Sequence, residues 1–308
     1  MAPSLFCCCG KRFASSAPKD DDDNAAAEDE GEAARDGPVV VELFSSQGCA
    51  TSPEAELLFS RIGRGDFDAE VPPLILLAFH VDYWDYTGWK DPFGCSQWTV
   101  RQKGYVESLQ LDTMFTPLLV VQSQAQCVGN DQDAVLTSIK SAPRFPPLSF
   151  QAKFEKPTPD TLEVSLTGTL RNKVDSNGVN IMVVLFECGL VTQCEEGENK
   201  GKVLANDYVV RRLEKLCEVK DISGKKTLSG TVKFSLWENF NSGKCGMAVF
   251  MENGCHHILS SQKFHDAVLM DAMTGRGGSS GGLPERKKLP QLPVGPVAVG
   301  DSHNFAGI

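Results

Sequence analysis

The chain has 308 residues, 41% of them hydrophobic, a formal net charge of -10 and eleven cysteines. Such a composition supplies enough apolar material for two domains of ordinary size and argues against an intrinsically disordered protein. The acidic excess and the lack of a Lys/Arg stripe interleaved with aromatics argue against nucleic acid as a partner.

Residues 1–37 read as a disordered acidic tail. Cys7, Cys8 and Cys9 are followed by Lys11 and Arg12, and Lys19 to Asp36 holds nine acidic residues against Lys19 and Arg35. Clustered cysteines beside basic residues make S-acylation, and so a peripheral membrane tether, one expectation; an inert tail is the other. No apolar run reaches eighteen residues and Met1 to Phe13 lacks a signal-like apolar core, so a cytoplasmic location is expected. The cysteines are expected to be mostly reduced thiols.

From Pro38 the pattern alternates. Val39–Phe44 predicts a buried strand and Ser52–Ile62 a helix, with Leu57, Leu58 and Ile62 toward the sheet. Leu74–Val81 predicts a second buried strand, and a helix is expected over about Gln97–Leu109. Leu118–Val121 and Gln124–Val128 predict a hairpin, followed by a helix over Asp131–Ser141. The order β-α-β-α-β-β-α is that of a thioredoxin fold, so 38–145 is expected to form an α/β thioredoxin-like domain.

Pro143, Pro146 and Pro147 read as a linker. Beyond them, short alternating strands are expected around Leu162–Leu166, Asn180–Phe186, Tyr208–Leu213, Val232–Leu236, Gly246–Met251 and His257–Ser261. They predict a mostly-β, sandwich-like domain over 146–270. Residues 271–308, rich in Gly, Ser and Pro, read as a second disordered tail.

The sharpest chemical feature is Gln47-Gly48-Cys49-Ala50-Thr51-Ser52-Pro53. It delivers Cys49 to a helix N-terminus, where free backbone N–H groups favour a thiolate. Ser52 stands three residues on, where a dithiol oxidoreductase carries its resolving cysteine, and a hydroxyl cannot resolve a mixed disulfide. Cys49 and Ser52 are therefore the candidate catalytic pair of a monothiol site. Thr116 and Pro117, with a cis bond expected between them, are candidate substrate-binding residues.

His80, Asp82 and Trp84 open the aromatic stretch His80–Phe93 at the carboxyl end of the second strand and are candidates for lining the cleft. The aromatics are read first as a plug between the two domains. Cys188, Cys194, Cys217, Cys245 and Cys255-His256-His257 lack the spacing of a zinc site, so no metal is expected. Gly-rich phosphate loops, nucleophile elbows and His-Glu-x-x-His are absent from the sequence.

The motifs Val41-Glu42-Leu43-Phe44-Ser45-Ser46-Gln47-Gly48-Cys49, His80 to Phe93, Thr116-Pro117 and Glu198-Asn199-Lys200-Gly201 with Val209-Val210-Arg211 together resemble the thioredoxin-like family catalogued as domain of unknown function 1223. The likeness runs from about Pro38 to Leu269 and implies a thioredoxin-like domain followed by a β-rich one. Many members of the family have cysteine where this chain has Ser52, and many are exported bacterial proteins. Two functional expectations follow. One is monothiol exchange through Cys49 with protein disulfides or glutathione, without a resident cofactor. The other is a protein-binding module that has lost redox turnover.

Overall fold

The structure, a computed structural model, describes residues 37–67, 71–170, 174, 176–221 and 224–264, all within one compact unit. The Cys7–Cys9 triplet, the acidic tail and the 271–308 tail lie outside the described residues.

Strand β1 (Val39–Ser45) enters directly from Pro38 and is buried along its whole length. Helix α1 (Ser52–Arg64) begins with Pro53 in its first turn, has Glu54 at the positive end of its dipole, and stops at Gly65 in the left-handed conformation with φ 78°. Its buried stripe is Ala55, Leu58, Phe59 and Ile62, the i, i+3, i+4, i+7 face. Leu57, expected to face the sheet, falls off that stripe and is 60% exposed.

Strand β2 (Leu74–His80) lies parallel to β1. A single 3-10 turn at Asp85–Thr87 precedes α2 (Ser96–Ser108), which buries Trp98, Arg101, Gln102 and Tyr105. Strands β3 (Leu118–Val121) and β4 (Ala125–Val128) form an antiparallel pair beside β1. Helix α3 (Gln132–Lys140) is capped by Asp131, whose side chain accepts from the Ala134 N–H at 3.0 Å.

The remaining strands are β5 (Ser149–Thr158), β6 (Thr161–Leu170), β7 (Val179–Glu187), β8 (Leu190–Gln193), β9 (Val203–Asn206), β10 (Val209–Val219), β11 (Lys226–Ser235), β12 (Cys245–Glu252) and β13 (Ile258–Phe264). They do not build a separate sandwich. Strand β10 joins β2 in parallel at Val209 and Ala78, and the Ala78 N–H donates to Tyr208 O at 2.8 Å. One mixed eight-stranded sheet results, ordered β13-β12-β7-β10-β2-β1-β3-β4. The expected α/β thioredoxin-like domain followed by a sandwich-like domain is thereby overturned: thirteen strands outnumber three α-helices among the described residues, and the main sheet runs across both halves of the chain.

Side-chain parity carries through the β2–β10 junction, because paired residues share a face. Leu76 and Ala78 of β2 pack beneath α1 and α3. Further along the same face, Ile181, Val183 and Leu185 of β7 with Met247, Val249 and Met251 of β12 pack against the three-stranded sheet β11-β6-β5. The opposite face gathers Phe44, Phe79, Phe186 and Phe250 around Trp98 and Tyr105 of α2. Burying each such ring contributes roughly 1.5–3 kcal/mol relative to exposure.

The sheet curls, so that Ser261 of β13 donates to Pro38 O at the entrance to β1. Arg101 then reaches carboxylates on two distant strands. Its guanidinium pairs bidentately with Glu42 of β1 at 2.8 and 2.9 Å and reaches Glu252 of β12 at 3.0 Å. Strands β8 and β9 make a separate antiparallel ribbon that packs on α1.

Candidate functional site

Between β1 and α1 the chain makes a tight turn in which the Cys49 N–H donates to Ser46 O at 3.1 Å and the Gly48 N–H to Ser46 Oγ at 3.1 Å. The Ser46 N–H donates to Ser52 Oγ at 3.3 Å, tying the turn to the first residue of the helix. Thr51 occupies the N-cap position without capping the helix by its side chain, and its hydroxyl lies 3.4 Å from Cys49 Sγ instead.

The loop entering β3 supplies the other side of the thiol. The Thr116–Pro117 peptide bond is cis, and Cys49 Sγ lies 3.5 Å from Thr116 O. Trp84 Nε1 donates to Thr116 Oγ1 at 2.7 Å and so fixes the threonine side chain beside the cysteine turn. Burial alone would raise the Cys49 pKa; hydrogen bonds from Ser52, Thr116, Thr51 and the Thr51 backbone outweigh it and lower it below the ordinary thiol value. The thiol is 3% exposed. Trp84 packs close to Gly48, where an added Cβ would meet the Trp84 Cβ at 2.9 Å, and so links the cysteine turn to the Thr116 loop.

Cys49, Ser52, Thr116, Pro117 and Trp84 are therefore together. His80 and Asp82 serve elsewhere. Asp82 Oδ1 accepts from Thr99 Oγ1 at 2.6 Å and so holds the first turn of α2. His80, fully buried, lies 2.7 Å from Asp91 Oδ2 through Nδ1 and 3.1 Å from Glu56 Oε1 through Nε2. Burial would push the imidazole down, but Asp91 and Glu56 outweigh it and push it up to about 10. Asp91 is opposed by burial in turn, yet the charge of His80 and hydrogen bonds from His80, the Gln47 N–H and the Phe93 N–H hold its carboxyl below the usual range.

The residues that hold the cysteine turn had no such role in the sequence reading. Asn199 Nδ2 donates to Gln47 O and to Cys49 O, at 2.8 and 2.9 Å. Gln47 is held by Asn206 and Trp89 through its own side-chain amide, and its backbone N–H is held by Asp91 at 2.7 Å. Asn199 and Trp89 both belong to the stretches whose likeness to the family was noted, which was the one signal available. Periodicity carries no information about a contact made across 150 positions.

All eight cysteines among the described residues are free thiols. Cys245 lies in the core beneath the three-stranded sheet, where burial, with Glu187 and Cys188 adding, pushes its thiol up to about 12. Among the described residues no cluster of His, Cys, Asp or Glu could hold a metal ion, and no helix is long and apolar enough to cross a membrane.

These features define a mostly-β protein with one hydrogen-bonded thiol at the strand-to-helix turn of a mixed sheet. The sequence pattern of the family described as protein of unknown function (DUF1223) matches residues 40–252, and the chain belongs to that family. A crystal structure of a protein from Agrobacterium tumefaciens is similar over 73% of this chain and 93% of that one, at 21% identity and a TM-score of 0.50; the likeness is one of fold. A structure of HBP35 of Porphyromonas gingivalis is similar over 75% of each chain, at 15% identity and a TM-score of 0.49. No curated protein sequence matches.

Proposed function

We propose that the protein performs single-thiol exchange through Cys49. The observation carrying this reading is the placement of Cys49 Sγ at the start of α1, 3.4 Å from Thr51 Oγ1, where hydrogen bonds from Ser52, Thr116 and Thr51 lower the thiol pKa in spite of burial. A thiolate is the form that attacks disulfides. In the proposed step, Cys49 Sγ attacks one sulfur of a disulfide, either a glutathione or a protein disulfide. A mixed disulfide forms on Cys49, the second sulfur departs as a thiolate, and that thiolate takes up a proton from water. With Ser52 at the third position, release of Cys49 requires an external thiol, which gives up its proton to water, bonds as a thiolate to the other sulfur of the mixed disulfide to form a new disulfide, and expels Cys49 as a thiolate. Ser52 serves as a hydrogen-bond donor to the sulfur throughout.

The test is the pH dependence of Cys49 alkylation in the intact protein, followed by mass spectrometry with and without oxidised glutathione. A thiolate appearing below the ordinary cysteine range, together with a glutathione adduct on Cys49, supports exchange. A Cys49 that titrates like a free cysteine and takes no adduct overturns it.

The 3% exposure of Cys49 favours a second reading, a binding module in which the hydrogen-bonded thiol is structural. On that reading Cys49→Ser leaves partner capture intact, whereas on the first reading capture disappears with the thiol.

A further inference from the structure

A pocket of about 210 Å³ opens between α1 and the β8–β9 ribbon, and its wall does not include Cys49. Its rim is apolar and exposed, with Leu57 of α1 at 60% and Val203 of β9 at 68%. Pro53 and the exposed Ala205 complete the apolar wall. The floor is different in kind, for it includes Ser45 and Glu56, both buried.

These floor groups are unfinished. Neither carboxylate oxygen of Glu56 nor Ser45 Oγ has a hydrogen-bond partner among the described residues. Glu56 Oε1 stands 3.1 Å from His80 Nε2 in an ion pair, so Glu56 Oε2 and Ser45 Oγ are the groups left open. Asp91, by contrast, is served by His80 and by the backbone N–H groups of Gln47 and Phe93. His80 is shared between two carboxylates, and Asp91 takes the shorter contact, 2.7 Å against 3.1 Å for Glu56.

A buried carboxylate with vacant acceptor positions is costly unless something donates to it. Ordered water could serve the polar floor, but it would leave the apolar wall of Pro53, Leu57, Val203 and Ala205 without an apolar occupant. An ammonium on an aliphatic stem meets both demands: its three N–H groups donate to Glu56 and Ser45, and the stem lies along the apolar wall. We infer that the pocket between α1 and the β8–β9 ribbon is a binding site for a small aliphatic ammonium compound, with Glu56 as its charge partner. The inference is independent of exchange at Cys49.

The test is titration of the full chain at neutral pH with n-butylammonium, followed by heteronuclear NMR, beside 1-butanol as an uncharged ligand of similar shape. The expected result is saturable one-to-one binding of the ammonium, with the alcohol at least tenfold weaker and E56Q lowering ammonium affinity at least tenfold. Absence of saturation, equal binding of the alcohol, or an E56Q protein that binds as well as the parent overturns the inference. Glu56 is buried beside His80, so A205L, at an exposed position of β9, provides a variant that narrows the pocket without touching the carboxylate. It is expected to weaken binding at least tenfold, and unchanged affinity in A205L overturns the site. Cys49→Ser is expected to bind the ammonium as the parent does, and loss of binding there would relocate the ligand to the thiol and overturn the pocket.

Discussion

Asn199 holds the turn that carries Cys49, its side-chain amide donating at once to the carbonyls of Gln47 and Cys49 from 150 residues downstream of the cysteine. Asn199 is fully buried, so these two bonds are made away from water, where unmade partners are expensive. The segment between β8 and β9 therefore acts as a clamp on the thiol turn rather than as a loose connection.

Asn199→Ala is expected to strand two buried carbonyl oxygens and to lower the unfolding free energy by about 2–4 kcal/mol, taking roughly 1–2 kcal/mol for each lost partner. Urea denaturation measures the loss. The same variant should alkylate faster at Cys49 under native conditions, because the turn is no longer pinned. Unchanged stability would mean that the clamp contributes nothing.

Thr116→Val keeps the shape of the side chain but removes the hydroxyl that accepts from Trp84 and bonds the sulfur. The folded thiol pKa is depressed, so the contribution of this group to stability is present above the unfolded thiol pKa and is lost as pH falls through the folded one. Removing a stabiliser of the thiolate must move the Cys49 pKa upward. Alkylation at neutral pH is expected to slow several-fold, with a stability cost of about 1 kcal/mol. An alkylation profile that stays in place would remove Thr116 from the thiol's electrostatics.

His80 gives a pH signature of the opposite sign. Its pKa is pushed up to about 10 in the folded protein from an ordinary value of 6.5, so its contribution to stability is complete below the unfolded value and is lost as pH rises through the folded one. Unfolding midpoints measured from pH 6.5 to 10.5 are expected to fall for the parent more steeply than for His80→Asn. At neutral pH the variant leaves Asp91 and Glu56 without their countercharge and should lose about 3–5 kcal/mol. Parallel pH profiles for the two proteins would contradict an imidazolium at this position.

Arg101→Ala removes a side chain that pairs with both Glu42 and Glu252. Two buried carboxylates are then left facing each other on β1 and β12. A loss of about 3–5 kcal/mol is expected, measured by the shift of the denaturation midpoint. A shift below 1 kcal/mol would mean that the curl of the sheet is held by its apolar face alone.

The three α-helices among the described residues and the strands around them were legible because their signals are local. Pro53, Glu54 and Gly65 punctuate α1, and Asp131 starts α3. Strands β1 and β2 stand out as short apolar runs. Leu57 was misplaced because three neighbouring apolar positions in the helix could not be ranked without knowing which arc meets the sheet. Strands β7 and β12 are buried on both faces over most of their length, and such runs do not declare which strands lie beside them. The parallel join of β10 to β2 rests on backbone pairing at Val209 and Ala78, which leaves no periodic trace in either segment.

By itself the sequence determined the local setting of the thiol: Cys49 at a helix start, Ser52 three residues on, and Pro117 after Thr116. Those properties follow from adjacent residues and from the geometry of one turn. Only the tertiary structure decided that the two halves share a sheet, that Asn199 clamps the cysteine turn, that His80 pairs with Asp91 and Glu56 instead of the thiol, and that a carboxylate lies at the floor of an apolar pocket. Each of these depends on segments brought together by burial of apolar faces, and burial selects partners by shape and area, not by distance along the chain.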